Sequence, residues 1–140
     1  MGDLLRRSDV VTLHSPLTEE TRGMIGRREL TLLKRGAVLV TVSRGALVDQ
    51  EALGAALEDG QVGAAGLDVL VEEPPPPDAL ILRAPNVVLS PHLAWYSAAS
   101  ERRARTLAVD GMIDYLEGRP LRAGRLAVVP RADAPSIAQG

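Results

Sequence analysis

Side chains that could bind a carboxylate and transfer a proton follow three separate apolar runs of this sequence. Arg44 follows the second run, Glu72 and Glu73 come shortly after the third, and His92 follows the fourth. A guanidinium can bind a small carboxylate through two hydrogen bonds. An imidazole can exchange a proton near neutral pH, and a neighbouring carboxylate orients it. This combination suits chemistry on a 2-keto or 2-hydroxy acid, for which a cofactor must supply the hydride.

Each of these residues also has a simpler interpretation. Arg44 could be a solvated or salt-bridged surface residue, and His92 could be a capping or buried histidine. Glu72 and Glu73 could belong to a solvated acidic loop, because four prolines follow them. The pattern alone leaves both interpretations open.

Four other polar or aromatic residues lie near these runs, and we expect different roles for them. Asp68 lies inside an apolar run, and an unpaired buried carboxylate is costly, so we expect Asp68 to have a partner. Trp95 and Tyr96 could be a hydrophobic anchor at the start of a helix or could contact a cofactor or substrate. We expect His14 to have a structural role.

Four short apolar runs predict the strands that position these residues. The runs are continuously apolar rather than alternating, which is typical of strands buried on both faces of a parallel sheet. Ligands of open parallel sheets bind outside the carboxyl ends of the strands, so we expect the polar residues that follow the runs to converge on one rim. The predicted strands are Val10–Leu13, Ala37–Val42, Ala64–Val69 and Asn86–Leu89.

Helical patterns alternate with the predicted strands, which indicates an α/β architecture with right-handed crossovers. In the predicted helix Asp49–Glu58, we expect Asp49 to cap the first turn and Gly60 to end the helix. The predicted helix Ala98–Glu117 has two apolar strips, so we expect it to pack on two surfaces. Pro74–Pro77 predict an extended loop. The predicted helices are Arg27–Lys34, Asp49–Glu58 and Ala98–Glu117.

Composition narrows the classes of function. The 140 residues include 16 Lys and Arg against 18 Asp and Glu, a formal net charge of −2, which argues against a nucleic-acid-binding surface. The absence of cysteine excludes disulfides and thiolate chemistry, and two histidines offer little to anchor a metal, so we expect no metal site. Without a signal-like or membrane-spanning run, the expected location is the cytoplasm.

Together these segments resemble the D-isomer-specific 2-hydroxyacid dehydrogenases, an NAD-dependent family. The resemblance runs from about Asp3 to Arg122, and the segment after His92 is most similar to the phosphoglycerate dehydrogenase and C-terminal-binding protein subgroup. The motifs that carry it are Leu13-His14-Ser15-Pro16-Leu17-Thr18-Glu19-Glu20-Thr21-Arg22-Gly23, Ser43-Arg44-Gly45-Ala46-Leu47-Val48-Asp49, Gly66-Leu67-Asp68-Val69 with Glu72-Glu73-Pro74, and Ser90-Pro91-His92-Leu93-Ala94-Trp95.

The resemblance implies roles for individual residues. Arg44 is then the residue that binds the substrate carboxylate, His92 the acid/base, and Glu73 the carboxylate paired with His92, whereas Glu72 is a bystander. Asp68 is placed near the nicotinamide amide. The residues implied to contact NAD are Ser15, Pro16, Thr21, Val42, Ser43, Arg44, Asp68, His92 and Trp95.

The resemblance also implies a domain organisation. Residues 1–97 correspond to the C-terminal half of an NAD-binding Rossmann domain, residues 98–118 to a long helix that returns toward a substrate domain, and residues 119–140 to an irregular tail. The family's Gly-x-Gly-x-x-Gly turn would precede this segment, and Gly63-Ala64-Ala65-Gly66 does not replace it, because it leads into a strand. Thr41 stands where the family usually has Asn.

The expected fold is therefore a partial Rossmann-like, doubly wound parallel sheet with a long C-terminal helix. The expected function is part of an NAD-dependent oxidoreductase that acts on a small 2-hydroxy or 2-keto acid and is a homodimer when complete. The alternative is a non-catalytic NAD-binding or protein-interaction module that is inactive as an isolated fragment.

Overall fold

The computed structural model describes residues 1–120 and contains a four-stranded parallel sheet with helices. The strands lie in the order β1-β2-β3-β4, and each neighbouring pair is parallel. The predicted α/β parallel sheet is therefore confirmed. The strands are β1 (Val10–Leu13), β2 (Ala37–Thr41), β3 (Val62–Leu67) and β4 (Val87–Leu89).

The observed bounds of the later strands differ slightly from the predicted ones. Strand β4 starts one residue later than predicted because Asn86 has a φ of 56°, which a strand cannot accommodate. Strand β3 starts and ends two residues earlier than predicted. It includes Gly63, where a Cβ atom would lie 2.4 Å from the carbonyl oxygen of Gly36, so only glycine allows this close approach.

The helices are α1 (Gly2–Arg7), α2 (Arg27–Leu32), α3 (Gln50–Glu58) and α4 (Ala98–Leu116). The carboxylate of Asp49 accepts a hydrogen bond from the Ala52 N–H at 3.0 Å, so the predicted cap of α3 is confirmed. Helix α1 was not predicted, and α2 ends two residues earlier than expected. Between β3 and β4 the structure has a short 3-10 turn, Leu80–Leu82.

One face of the sheet forms the core with α1, α2 and α3. Leu39 of β2, Leu30 of α2 and Leu53 of α3 belong to one cluster of buried side chains. On the opposite face, Val10 and Val88 are 59% and 72% exposed. The expectation that the strands are buried on both faces is therefore wrong for residues 1–95, because α1, α2 and α3 pack on the same face.

The described residues form two compact units, Met1–Trp95 and residues 96–120. The long predicted helix is present in the second unit as α4, and Gly118, with a φ of 66°, follows its end. No residue of α4 is buried, so its packing on two surfaces stays a prediction. The predicted irregular tail lies, from residue 121 onward, outside the described residues. Within residues 1–120, no helix is long and apolar enough to cross a membrane.

The side chain of Thr41 allows a test of how this core is packed. Thr41 is fully buried, and its hydroxyl has no hydrogen-bond partner among residues 1–120. We expect Thr41→Val to raise the free energy of unfolding by about 1 kcal/mol, because it removes a desolvated polar group and keeps the shape. Urea denaturation measures the change. Thr41→Ala is the control and should destabilise, because it leaves a cavity. A destabilised Thr41→Val protein would contradict the expectation.

Candidate active site

The loops that follow the four strands meet at one edge of the sheet, because parallel strands place their carboxyl ends together. The loop after β1 is hydrogen-bonded to the loop after β2. The Gly23 N–H donates to the Ala46 carbonyl at 2.8 Å, and the Ile25 N–H donates to the Leu47 carbonyl at 3.0 Å. The expected rim is therefore present, and its first two loops are held together by backbone hydrogen bonds.

Gly45 brings the loop after β2 against the loop after β3. A Cβ atom on Gly45 would lie 2.0 Å from the carbonyl carbon of Leu70 and 2.5 Å from the nitrogen of Val71. Only a residue without a side chain allows these two backbones to touch. The sequence analysis did not assign this role to Gly45, although the glycine directly after Arg44 was the available signal.

Asp68 joins the loop after β3 to the loop after β4. Its side chain is buried, and its Oδ1 accepts hydrogen bonds from the Ser90 hydroxyl at 2.5 Å and the Leu93 N–H at 2.8 Å. Its Oδ2 accepts from the Ala94 N–H at 2.8 Å. The expectation that this carboxylate has partners is confirmed. Burial opposes its ionisation, but the hydrogen bonds from Ser90, Ala94 and Leu93 outweigh burial and hold the pKa of Asp68 below its usual value.

Glu73 and His92, predicted to act together, are in direct contact. The Oε2 of Glu73 lies 2.7 Å from the Nδ1 of His92, and the Oε1 of Glu73 accepts the Leu70 N–H at 2.8 Å. The hydrogen bonds from His92 and Leu70 lower the pKa of the Glu73 carboxyl. The side chains of His92 and Glu73 are 45% and 38% exposed, so solvent reaches the pair.

The backbone of His92 is held on both sides. Its φ of 56° lies in the left-handed region, which a histidine seldom adopts. The His92 N–H donates to the Asp68 carbonyl at 2.9 Å, and the His92 carbonyl accepts the indole N–H of Trp95 at 3.0 Å. Trp95 is 56% exposed, and both interpretations of it, a hydrophobic anchor or a cofactor or substrate contact, stay predictions.

Arg44 lies on the same rim but is not hydrogen-bonded to the acid/base pair in the described residues. Its exposed guanidinium donates from Nη1 to the Ser43 carbonyl at 2.6 Å. The Ser43 hydroxyl in turn donates to the Leu13 carbonyl at 3.1 Å, which links the ends of β1 and β2. Ser43 therefore supports the loop that carries Arg44.

Ser15, Pro16 and Thr21, which are predicted to contact a cofactor, lie in the loop after β1. Thr21 stabilises the conformation of this loop. The Thr21 hydroxyl donates to the Pro16 carbonyl at 2.8 Å and accepts the Thr18 N–H at 2.7 Å. Ser15 is half-buried and Pro16 is exposed beside it. His14 pairs with the Thr12 hydroxyl at 2.8 Å. The cofactor roles of these residues stay predictions.

Comparison with known proteins shows the family to which the chain is similar. Residues 1–94 match the family described as "D-isomer specific 2-hydroxyacid dehydrogenase, NAD binding domain". The glyoxylate reductase of Korarchaeum cryptofilum is 48% identical over 115 residues, which cover 82% of this chain and 35% of that protein. The glycerate dehydrogenase of Methylorubrum extorquens is 42% identical over 119 residues, which cover 84% of this chain and 38% of that protein.

A solved structure shares the fold. It is the NAD-complexed form of a D-isomer specific 2-hydroxyacid dehydrogenase from Lactobacillus delbrueckii ssp. bulgaricus, with a TM-score of 0.79 and 33% identity. The match covers 88% of this chain and 42% of that chain. This chain thus spans well under half the length of the proteins it matches.

The contact at Gly45 predicts a selective effect of an added methyl group. We expect Gly45→Ala to lower the free energy of unfolding by about 3 kcal/mol, because the backbones of two loops must separate. Gly66→Ala is the matched control, since its Cβ would lie 3.7 Å from the nearest methyl group of Val40, an ordinary contact. Thermal and urea unfolding of both variants test this. Equal stability of the two variants would contradict the inferred contact.

The carboxylates of Asp68 and Glu73 predict a pH dependence of stability. Both pKa values are lower in the folded chain than their usual values of 3.8 and 4.5. The unfolded state therefore binds more protons, and the stabilisation present above the unfolded pKa is lost as the pH falls through the folded pKa. We expect the free energy of unfolding to decrease between about pH 5 and pH 3.

The variant Asp68→Asn isolates the buried carboxylate. An asparagine here can accept the Ser90 and Leu93 hydrogen bonds through its oxygen, but its NH2 group then faces the Ala94 N–H, which is also a donor. We therefore expect the free energy of unfolding at pH 7 to fall by about 3 kcal/mol. The slope of stability against pH should also become shallower than in the parent protein. Glu72→Gln, a change of an exposed neighbouring carboxylate, is the control. An unchanged slope in Asp68→Asn would contradict the assignment.

Proposed function

Because the chain belongs to the D-isomer specific 2-hydroxyacid dehydrogenase family, we propose that it provides the acid/base and carboxylate-binding part of an NAD-dependent oxidoreductase. The proposed reaction transfers a hydride between NAD(H) and C2 of a small 2-keto or 2-hydroxy acid. The observation that carries the proposal is the hydrogen bond of 2.7 Å between Glu73 and the Nδ1 of His92 on the rim of the sheet.

His92 is the proposed proton donor in the direction of reduction. The carboxylate of Glu73 binds Nδ1–H, which leaves the Nε2 atom to face a substrate. The bound cofactor supplies the hydride. As negative charge develops on the carbonyl oxygen of the 2-keto acid, the protonated His92 gives its Nε2 proton to that oxygen, and in oxidation the neutral imidazole takes the proton back.

Arg44 is the proposed carboxylate-binding residue. A guanidinium carries five N–H donors, and the hydrogen bond to the Ser43 carbonyl uses one of them. The remaining donors suffice for a bidentate contact with a substrate carboxylate. Such a contact would hold C2 of the substrate next to the acid/base pair.

The rim fits the nicotinamide end of the proposed cofactor. The Oδ2 atom of Asp68 accepts one hydrogen bond, from Ala94, so it has capacity for an amide N–H donor. Val42 is 37% exposed at the end of β2 and offers an apolar surface for a ring. The sequence has no Gly-x-Gly-x-x-Gly motif for the pyrophosphate. The other proposed contacts are Ser15, Pro16, Thr21, Ser43, Arg44, His92 and Trp95.

The proposal extends to the setting of the protein. We propose that it acts in the cytoplasm, that the complete enzyme is a homodimer, and that it binds a small organic acid and neither nucleic acid nor a membrane. The net charge of −2 supports the absence of a nucleic-acid partner. Residues 1–97 are the proposed half-domain, and residues 98–118 the proposed helix toward a substrate domain.

A second candidate function is a non-catalytic NAD-binding or protein-interaction module. One observation favours it for this chain. One face of the sheet, with Val10 and Val88, is exposed and could bind a partner. Such a module would bind cofactor or partner without turnover.

Turnover of glyoxylate, hydroxypyruvate or pyruvate with NADH, followed at the NADH absorbance, tests the first function. We expect His92→Gln to lower kcat by about 10²- to 10⁴-fold, since the proton donor is lost. Arg44→Lys should mainly raise KM, because lysine cannot make the bidentate contact. His14→Gln and Arg22→Lys are controls and should retain activity.

Two outcomes would overturn parts of the proposal. Full activity of His92→Gln would refute the role of His92. Quenching of the single tryptophan, Trp95, by NADH without turnover of any of the three acids would favour the non-catalytic module.

A further inference from the structure

We propose that Gln50 is a positioning residue that holds the carboxylate of Glu73 against His92. This inference rests on the proposed function of Glu73 and His92. The proposed function gives no role to Gln50. The Oε1 atom of Gln50, in the first turn of α3, accepts the backbone N–H of Val71 at 3.1 Å. Gln50 therefore binds the loop that carries Glu73 from a different element.

The loop that carries Glu73 has few backbone donors with which to fix its position. Pro74–Pro77 follow Glu73 directly, and proline has no N–H. Residues 74–77 therefore offer no donor to fix the position of the loop. Next to Glu73, the Leu70 N–H binds Glu73 itself, and the Val71 N–H binds Gln50 of another element.

The orientation of the backbone at residues 70 and 71 sets the position of the Glu73 carboxylate. One oxygen of Glu73 is bound to the Leu70 N–H and the other to His92. The Val71 N–H belongs to the next peptide along the chain, so a shift of the backbone at Val71 would pass through Leu70 to the carboxylate. Gly45 sets how closely this peptide approaches the neighbouring loop, and Gln50 sets its direction.

Gln50 is itself held by the rim. Asp49, which precedes it, caps α3 through the Ala52 N–H and donates its own N–H to the Ile25 carbonyl at 3.0 Å. The side chain of Gln50 is half-buried and lines an open groove of about 890 Å³ between the rim loops. A substitution of similar length at this position therefore creates no closed cavity.

The test observes the imidazole directly. The chain has two histidines, so a protein labelled with ¹⁵N-histidine gives two ring systems, and His14→Asn assigns them. A carboxylate bound at Nδ1 keeps the proton of a neutral imidazole on Nδ1, whereas a histidine in water favours the proton on Nε2. At a pH where His92 is neutral, the ¹⁵N shifts should show the Nδ1–H form in the parent protein.

Three variants distinguish the loss of the hydrogen bond between Gln50 and Val71 from other effects of a substitution in this helix. Gln50→Met keeps the length but has no comparable acceptor, and we expect the population of the Nδ1–H form of His92 to fall by about twofold or more. Gln50→Glu keeps an acceptor and should restore the parent spectrum. Glu51→Met, at the neighbouring exposed position, is the control.

Thermal unfolding checks that each variant is folded, and Gln50→Ala replaces Gln50→Met if that variant is not. An unchanged His92 spectrum in folded Gln50→Met, or in its replacement Gln50→Ala, overturns the inference. A loss of the Nδ1–H form that is also seen in Gln50→Glu overturns it as well. If the parent protein turns over one of the three acids with NADH, Gln50→Met should lower kcat more than it changes KM. The spectrum needs neither cofactor nor turnover, so an inactive parent protein with a Gln50-dependent spectrum counts against turnover by this chain and leaves the positioning role supported.

Discussion

The buried carboxylate of Asp68 is the interaction on which the arrangement of the rim depends. Burial of a charge is costly, and here three hydrogen bonds from Ser90, Leu93 and Ala94 offset that cost. All three donors belong to the loop after β4. The loop must therefore adopt one conformation for the carboxylate to stay charged, and that conformation includes the left-handed backbone of His92, whose strain of about 1 kcal/mol is tolerated because the surrounding contacts over-determine it.

The other loops depend on Asp68 through a series of contacts. Asp68 follows β3, and its N–H is bound to the carbonyl of Thr41 at the end of β2. Two residues later, the backbone of Leu70 touches Gly45, directly after Arg44. Hydrogen bonds from Gly23 and Ile25 extend the connection to the loop after β1. Each loop is thus held by its neighbour, in the order of the strands, and parallel pairing makes this order possible.

The sequence predicts the elements better than the contacts between them. Apolar runs and turn residues locate the four strands within two residues, since these signals are local. They do not reveal that Val10 and Val88 remain exposed, because burial depends on which helices cover the sheet. Asp68 could be recognised as needing a partner from its apolar surroundings. The glycine at position 45 was the one local signal of its close contact, but its partner Leu70 and the partner of Gln50, Val71, lie more than twenty positions away in the sequence and could not be inferred.

The exposure of the pair formed by Glu73 and His92 explains why so much of the rim serves to position it. A side-chain pair that solvent reaches contributes little to stability, since water competes for its hydrogen bond and both side chains lose conformational freedom. Attraction alone therefore cannot hold the imidazole in place. The hydrogen bonds to the backbone by Asp68, Gln50 and Glu73 do not depend on that attraction, and they fix both partners before any substrate binds. Preorganised geometry of this kind is what the proposed proton transfer requires.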